Sequence, residues 1–270
     1  MTSTDTSFPT TVILAGGLGT RLGAVAQQTP KCLMELAGQP FIAHQLTLLK
    51  REGVSKVVLC IGHLGEQVQN YVGDGSRFGL DVQYVFDGAK LLGTGGAIRR
   101  AIELGALTDE HFAVTYGDSY LDVSFPPIYQ SFLQSFVASK KKALMTVLLN
   151  ENRWDKSNVI VKDGSINCYD KKNQSSDMRH IDFGLLIFSH RCFEDYPADQ
   201  VFDLSSMLQT LVSEQQLAAF EVHQRFYEIG TPESLAETDR YLQSVTNEAV
   251  LSACQGSYQP RGEKVSLAEQ

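Results

Sequence analysis

Gly16, Gly17 and Gly19 follow the apolar run Val12-Ile13-Leu14, the cation Arg21 comes two positions later, and Lys31 stands further on in TPKCLMEL. Glycines after a buried strand let backbone N–H groups approach anionic oxygens with no Cβ in the way. Arginine adds a planar fork suited to a polyphosphate, and lysine adds a mobile point charge. Asp118, in Tyr116-Gly117-Asp118-Ser119, lies just past another apolar run, where a carboxylate can hold a divalent cation. Each feature also has a plain reading. The glycines can serve a tight strand-to-helix turn with solvated cations beside it, and Asp118 can close an Asx-turn or cap a helix.

Two common phosphate loops have fixed spacings, and neither is met. The dinucleotide fingerprint G-x-G-x-x-G, started at Gly17 and Gly19, needs a glycine where Leu22 stands. The P-loop needs a Gly-Lys pair where the chain has Arg21 or Leu22. What remains is flexible backbone followed by two cations.

The elements that must carry these residues alternate. Val12–Leu14, Lys56–Ile61, Val82–Phe86 and Phe112–Thr115 read as buried strands, and Phe41–Arg51, Glu66–Tyr71 and Gly95–Leu104 as helices between them. Such alternation predicts an α/β fold, Rossmann-like, with a mostly parallel mixed sheet flanked by helices. Ligands of these sheets bind beyond the carboxyl ends of the strands, which puts the glycine loop and Gly117-Asp118 on one rim. After residue 140 the pattern changes. Ala143–Leu149, Asn158–Val161, Ser165–Tyr169 and His180–Ser189 read as an antiparallel extension, with a hairpin turn at Lys162-Asp163-Gly164-Ser165. Helices at Asp203–Ser213 and Pro232–Ser244 and strands at Leu217–Val222 and Phe226–Ile229 complete the reading, and no internal repeat is visible. This gives one domain over 1–245, with halves of about 10–140 and 141–245, and a weakly structured tail over 246–270.

Bulk properties narrow the function classes. The 270 residues are 43% hydrophobic and 20% charged, an ordinary globular composition. A net charge of −8 argues against a nucleic-acid partner. Lys140-Lys141-Lys142 reads as a solvated helix end or strand start. The five cysteines show no CxxC spacing, and an odd count suits free thiols in the cytoplasm. The six histidines share no ligand spacing and read as structural. MTSTDTSFPT is not a secretory signal, and no apolar run approaches the ~18 residues of a membrane span. The expected setting is cytoplasmic, with no membrane partner.

The stretch LAGGLGTRLGAVAQQTPKCLMELAGQPFIAHQL carries [GA]-G-x-G-[TS]-R-[LM] followed by P-K-x-L, and LLGTGGAIRRA, VTYGDSYLDV, HIDFGLLIF and FYEIGTPESL follow in order. In these five motifs the chain resembles the sugar-1-phosphate nucleotidyltransferases over about residues 10–240. LGTGGAI looks closest to the enzymes making GDP-heptose and to related bacterial UDP- and CDP-sugar pyrophosphorylases, which serve cell-surface polysaccharide. The resemblance implies the nucleotide-diphospho-sugar transferase fold, with the antiparallel part forming the sugar side, and leaves room for a homo-oligomer. It also implies the reaction: a nucleoside triphosphate plus a sugar 1-phosphate gives an NDP-sugar and pyrophosphate, by in-line attack on the α-phosphorus. An ionised phosphate is the nucleophile, so the missing Ser/His/Asp constellation is consistent with chemistry governed by neutralisation and alignment.

Roles carried over by the resemblance are as follows. Arg21, Lys31 and Asp118 take the catalytic positions, and Mg2+ is the implied cofactor, with Asp118 as the family's metal aspartate. The family's second ligand is the Asp of x-D-x-G-T-P, but this chain has Glu228 there. Its extra methylene must fit a strict octahedral site at about 2.1 Å, which leaves direct ligation, ligation through water and a strand-end structural role all open. Leu14, Ala15, Gly16, Gly17, Gly19 and Thr20 would line the nucleotide, and Asp87 would touch the base edge. Gly93, Thr94 and Gly95, with Gly96, would bring base or ribose against backbone or else permit close helix–sheet packing. On the sugar side Lys171, beside Asp170, is the phosphate clamp or an exposed hairpin lysine. Asp182, where Asn is common, would accept from sugar hydroxyls, and Arg153 and Trp154 share that wall.

Other classes leave different marks. A nicotinamide oxidoreductase is disfavoured by the failed fingerprint. A non-catalytic nucleotide-binding regulatory module would have lost Lys31 or Asp118, and both are present. A cytidylyltransferase acting on an amino-alcohol phosphate would need an aromatic cage for a quaternary ammonium, from Trp154, Tyr169 and Phe183.

Overall fold

β1 (Thr11–Leu14) is short, rich in β-branched residues and buried through Ile13, as befits a strand covered on both faces. A tight turn at Lys31–Leu33 leads into a small hairpin of β2 (Glu35–Leu36) and β3 (Gln39–Pro40), and this hairpin delivers the chain to α1 (Phe41–Arg51). β4 (Lys56–Ile61), α2 (Gly65–Val72), β5 (Asp81–Phe86), α3 (Gly93–Glu103) and β6 (His111–Tyr116) then alternate as the sequence predicts. β7 (Ser119–Tyr120) and α4 (Phe125–Ser139) close this half, and β8 (Ala143–Leu149), β9 (Val159–Lys162), β10 (Ser165–Tyr169) and β11 (His180–Ser189) open the next. α5 (Leu204–Ser213), β12 (Leu217–Val222), β13 (Tyr227–Glu228) and α6 (Pro232–Gly256) complete the chain. The computed structural model describes residues 8–17, 28–88 and 90–256, with side chains through 247.

Among the described residues, nine strands form one sheet in the order β5-β4-β1-β6-β11-β8-β12-β10-β9. β5, β4, β1 and β6 run parallel, and β11 pairs antiparallel with both β6 and β8. The mostly parallel half and its antiparallel extension are therefore both present. β1 lies between β4 and β6, so the winding direction reverses there, and a crevice opens past the carboxyl ends of β1 and β6. Alternate strand residues feed two cores. Ile13, Leu59 and Ala113 face Ile42, Leu46 and Phe132 of α1 and α4, while Val12, Val58 and Val114 face Ile98 and Leu208 of α3 and α5.

Two elements depart from the sequence reading. The sequence reading assigns no element at α4, whose start carries Pro126-Pro127. In the structure these prolines sit in the first turn, where a missing N–H costs nothing. α6 also continues beyond Ser244 to Gly256, into the stretch expected as a loose tail. The predicted hairpin turn holds: Asp163 (φ +50°) and Gly164 (φ +70°) both take the left-handed conformation that a tight two-residue turn requires. The run Lys140–Lys142 falls between the end of α4 and the start of β8.

Candidate active site

Backbone bonds draw the turns after β1 and β6 together. Ala15 N–H donates to the Cys60 carbonyl at 2.8 Å, and Gly117 N–H donates to the Leu14 carbonyl at 2.9 Å. A Cβ on Gly117 would stand 2.8 Å from that of Ala15, so only glycine lets these turns approach so closely. Beyond them lies a cavity of about 380 Å³. Leu14, Ala15, Gly16, Gly17, Lys31, Asp87, Gly93, Thr94 and Asp118, all singled out in the sequence, line it. The Lys31 ammonium donates to the Asp118 carboxylate at 2.7 Å, with only 14% and 32% of these side chains exposed. Next to Lys31, buried Cys32 anchors the turn, and burial pushes its thiol up to about 12, so it is a packing group rather than a nucleophile.

Another part of the lining, around Gly16 and Asp87, is tightly built. Gly16, Gly62 and Asp87 crowd one another: a Cβ at Gly62 would meet the Gly16 carbonyl at 2.9 Å and the Asp87 carboxylate at 3.1 Å. Burial raises the Asp87 pKa, and the nearby Arg100 guanidinium and a bond from the Leu92 backbone pull it back. The glycines opening α3 divide in function. Gly93 and Thr94 line the cavity, whereas the N–H groups of Gly95 and Gly96 donate to the Phe202 carbonyl at 3.0 and 3.2 Å. A Cβ on Gly95 would lie 2.2 Å from the Phe202 ring. Gly95 is thus not among the lining residues; it lets the 202 segment close over the helix. The Thr94 hydroxyl accepts from the Leu204 N–H at 2.8 Å and so takes the first-turn donor of α5 that the preceding Asp203 leaves unused.

The carboxylates are joined through backbone. β13 pairs with β7, Glu228 opposite Ser119, and the Ile229 N–H donates to the Asp118 carbonyl at 3.0 Å. The Glu228 carboxylate folds over Gly230, where any Cβ would stand 3.1 Å from its Oε1, and Gly230 itself lines the cavity. Among the described residues no three or more His, Cys, Asp or Glu side chains are grouped so as to hold a metal ion by themselves. A pair of carboxylates beside a polyphosphate-sized cavity fits Mg2+, which takes one or two carboxylates and completes its shell with phosphate oxygens and water.

Lys171 and Asp182 do not line this cavity and meet behind one of its walls. Tyr116 is that wall, and the Lys171 ammonium lies 5.4 Å from its ring centre and 5.7 Å from that of Tyr169. The Lys171 ammonium is 3.3 Å from the Asp182 carboxylate, which also accepts from the Tyr169 hydroxyl and the Gly184 N–H. Burial opposes the charge on Lys171, but Tyr116 and Asp182 outweigh it and raise its pKa, while burial pushes Tyr116 up to about 12. With 2% of its side chain exposed against 45% for Lys171, Asp182 is buried and the lysine is partly open to solvent. A bulge in β11 between Asp182 and Leu186 aims the pair, and the Thr146 hydroxyl satisfies the backbone there by bonding Leu185 on both its sides. Asp170 instead closes the loop after β10, accepting from the Lys172 and Asn173 backbones.

No aromatic cage forms from Trp154, Tyr169 and Phe183. Arg225 lies over both Trp154 (5.3 Å) and Tyr227 (4.9 Å) and grips Glu237 in a two-point ion pair, and Arg153 also lies over Trp154. Phe183 is buried edge-on against Phe226, and Tyr169 is buried beside Lys171. Arg21, Gly19 and Thr20 lie outside the described residues. Sequence reasoning missed Tyr116 and Asp203, which line the cavity. Tyr116 stands immediately before Gly117-Asp118, a signal that position at a strand end supplied; Asp203 had none.

Comparison with known proteins adds an independent line. Residues 10–244 match the family described as nucleotidyl transferase. The chain is 25% identical over 230 residues to UTP–glucose-1-phosphate uridylyltransferase of Synechocystis sp., covering 80% of this chain but only 58% of that protein. It is 26% identical to D-glycero-alpha-D-manno-heptose 1-phosphate guanylyltransferase of Aneurinibacillus thermoaerophilus, covering 86% of this chain and 97% of that one. The crystal structure of HddC from Yersinia pseudotuberculosis complexed with GMP-PN superposes with a TM-score of 0.70 at 26% identity, covering 87% of this chain and all of that one. Among the described residues no helix is long and apolar enough to cross a membrane, and Cys32, Cys60, Cys168 and Cys192 are free thiols.

Proposed function

The chain belongs to the nucleotidyl transferase family, and on that premise we propose that it joins a nucleoside triphosphate to a sugar 1-phosphate, releasing pyrophosphate. A phosphate oxygen of the sugar 1-phosphate bonds to the α-phosphorus as the bond from that phosphorus to the bridging α–β oxygen breaks, and the electron pair leaves with pyrophosphate. The observation that carries this reading is the Lys31–Asp118 pair, a cation and a carboxylate 2.7 Å apart on the rim of a cavity bounded by two glycine turns. An anionic nucleophile must approach an anionic centre, so a fixed cation at that rim lowers the barrier by neutralising charge.

Roles follow from position. Leu14 to Gly17 with Gly93 and Thr94 hold the nucleoside against backbone, and Lys31 neutralises the departing phosphates. Arg21, Gly19 and Thr20 are assigned to the triphosphate by their motif alone. Asp118 and Glu228 would hold Mg2+, which when bound offsets negative charge on the phosphate oxygens. Lys171, fixed by Asp182 and Tyr169, clamps the acceptor phosphate, and Asp182 acts through that lysine rather than on sugar hydroxyls. The nucleophile is already ionised, so no general base is needed.

Asp87, a buried acceptor in the cavity lining, favours a base with adjacent N–H donors, and guanine offers N1–H beside its amino group. A guanylyltransferase relative spanning almost the whole chain supports the same choice. The free thiols fit a cytoplasmic setting, where triphosphates are supplied. The test is a matrix of GTP, UTP, CTP, ATP and dTTP against several sugar 1-phosphates with Mg2+, scored by pyrophosphate release. Turnover led by GTP is expected. Turnover led by another nucleotide removes the base assignment alone, and none with any pair removes the enzyme reading.

A further inference from the structure

We propose that Gln45 is a positioning residue for Asp118, acting through the backbone of the turn that carries it; this rests on the reading of Asp118 as a cation ligand. Gln45 lies on α1 and is 3% exposed. Its side-chain nitrogen donates to the Tyr116 carbonyl at 2.9 Å and to the Ser119 carbonyl at 2.7 Å. One amide group therefore spends both protons on the two carbonyls that bracket Gly117-Asp118. Backbone ties run from Gly117 to Leu14 and from Ile229 to Asp118, and the Asp118 carboxylate itself accepts from Lys31 and from the Ser119 hydroxyl. Position 117 must be glycine for the turns to approach, whereas the donor at 229 can come from any residue but proline. Among the described residues, Gln45 supplies the side-chain bonds that hold the backbone carbonyls on either side of Asp118.

A second observation separates positioning from mere packing. The Gln45 Oε1 is buried with no hydrogen-bond partner among the described residues. An apolar residue would avoid that loss, and its neighbours on the helix, Ile42, Leu46 and Leu49, are apolar and buried. The amide is retained for what its nitrogen does. Ligands of a small, strictly octahedral cation tolerate displacements of only about 0.2 Å, so a turn free to shift would lose the ion before it lost the fold. The same bond fixes Tyr116, the wall between the cavity and Lys171.

Two variants test this in the full chain. Gln45→Met keeps the length and removes both donors, and Gln45→Glu keeps the shape and sets an acceptor against two carbonyl oxygens. Pyrophosphate release is followed against Mg2+ concentration and against nucleotide, alongside thermal unfolding and hydrogen exchange of the 116–119 segment. In both variants kcat should fall about 10–100-fold and half-saturating Mg2+ should rise by a similar factor. The KM for nucleotide should stay nearly constant, and exchange should quicken at 116–119. A lowered melting temperature with unchanged kcat and Mg2+ dependence would overturn the proposal, since a purely structural glutamine gives that pattern. If Gln45→Glu does not fold, Gln45→Met decides alone. If the wild-type chain releases no pyrophosphate with any substrate pair, the reading of the enzyme falls separately. Hydrogen exchange then decides for Gln45: faster exchange at 116–119 supports the brace, and unchanged exchange overturns it.

Discussion

The two halves of the sheet build their parts of the site by different means. In the parallel half, β5-β4-β1-β6, the cavity is walled by turns at strand ends, and much of its lining is the backbone of Leu14 to Gly17, Gly93 and Gly117. Beside the antiparallel half, side chains hold one another: Lys171 with Asp182 and Tyr169 and, next to the separate β7–β13 pair, Arg225 with Trp154 and Tyr227. Backbone recognition needs glycines at fixed spacing and accepts little change in the strands below it. Side-chain networks can be rebuilt residue by residue on the same strands. One sheet can thus keep its phosphate chemistry while its acceptor wall diverges.

The comparison can be broken at its strongest point first. Asp118→Asn keeps the shape of the β6 turn and removes the charge, and it should lower pyrophosphate release by about a hundredfold or more while the melting temperature stays near wild type. Near-wild-type turnover would show that the parallel half contributes shape alone. Lys171→Met should act on the other half only. Loss of one charged hydrogen bond corresponds to about 10–100-fold in KM for the sugar phosphate, with the KM for nucleotide unchanged. Equal shifts in both constants would mean that the wall formed by Tyr116 does not separate the two sites.

The smallest expected effect concerns pH. Burial raises the pKa of Asp87, so on acidification it takes up a proton before an ordinary carboxylate does, whose pKa is about 4. A protonated Asp87 no longer offers a fully charged acceptor, so the KM for nucleotide should rise a few-fold across that window as pH falls. It should be flat in Asp87→Asn. Stability changes the other way from affinity: the ionised buried form is disfavoured above the folded pKa, and protonation relieves that penalty, so the melting temperature should rise as pH falls. Measured over the same pH series, KM and melting temperature should therefore both rise on acidification, and a KM that stays flat or falls while the melting temperature rises would contradict the assignment.

Much of this was legible in the residues. Short apolar, β-branched runs located the parallel strands, and Asp163-Gly164 located the β9–β10 turn, because these signals depend only on neighbours in the chain. The glycine spacing, Lys31 and Asp118 were local signals too, and the structure brings Gly16, Gly17, Lys31 and Asp118 to one cavity. α4 was hidden because proline breaks a helix in its interior yet suits its first turn, and the sequence does not say which turn it occupies.

What only the tertiary structure decided was which of these groups meet. Gly95 could serve a ligand contact or close packing, and in the fold it makes room for Phe202. Trp154 looked like a free platform, and Arg225 covers it. Asp182 turned inward to hold Lys171, and Gln45, unremarkable within a helix, reached the carbonyls on both sides of Asp118. The physical reason is range. Propensity and periodicity are set within a few residues, whereas hydrogen bonds and ion pairs between groups 71 or more positions apart exist only once the sheet has closed its strand ends together.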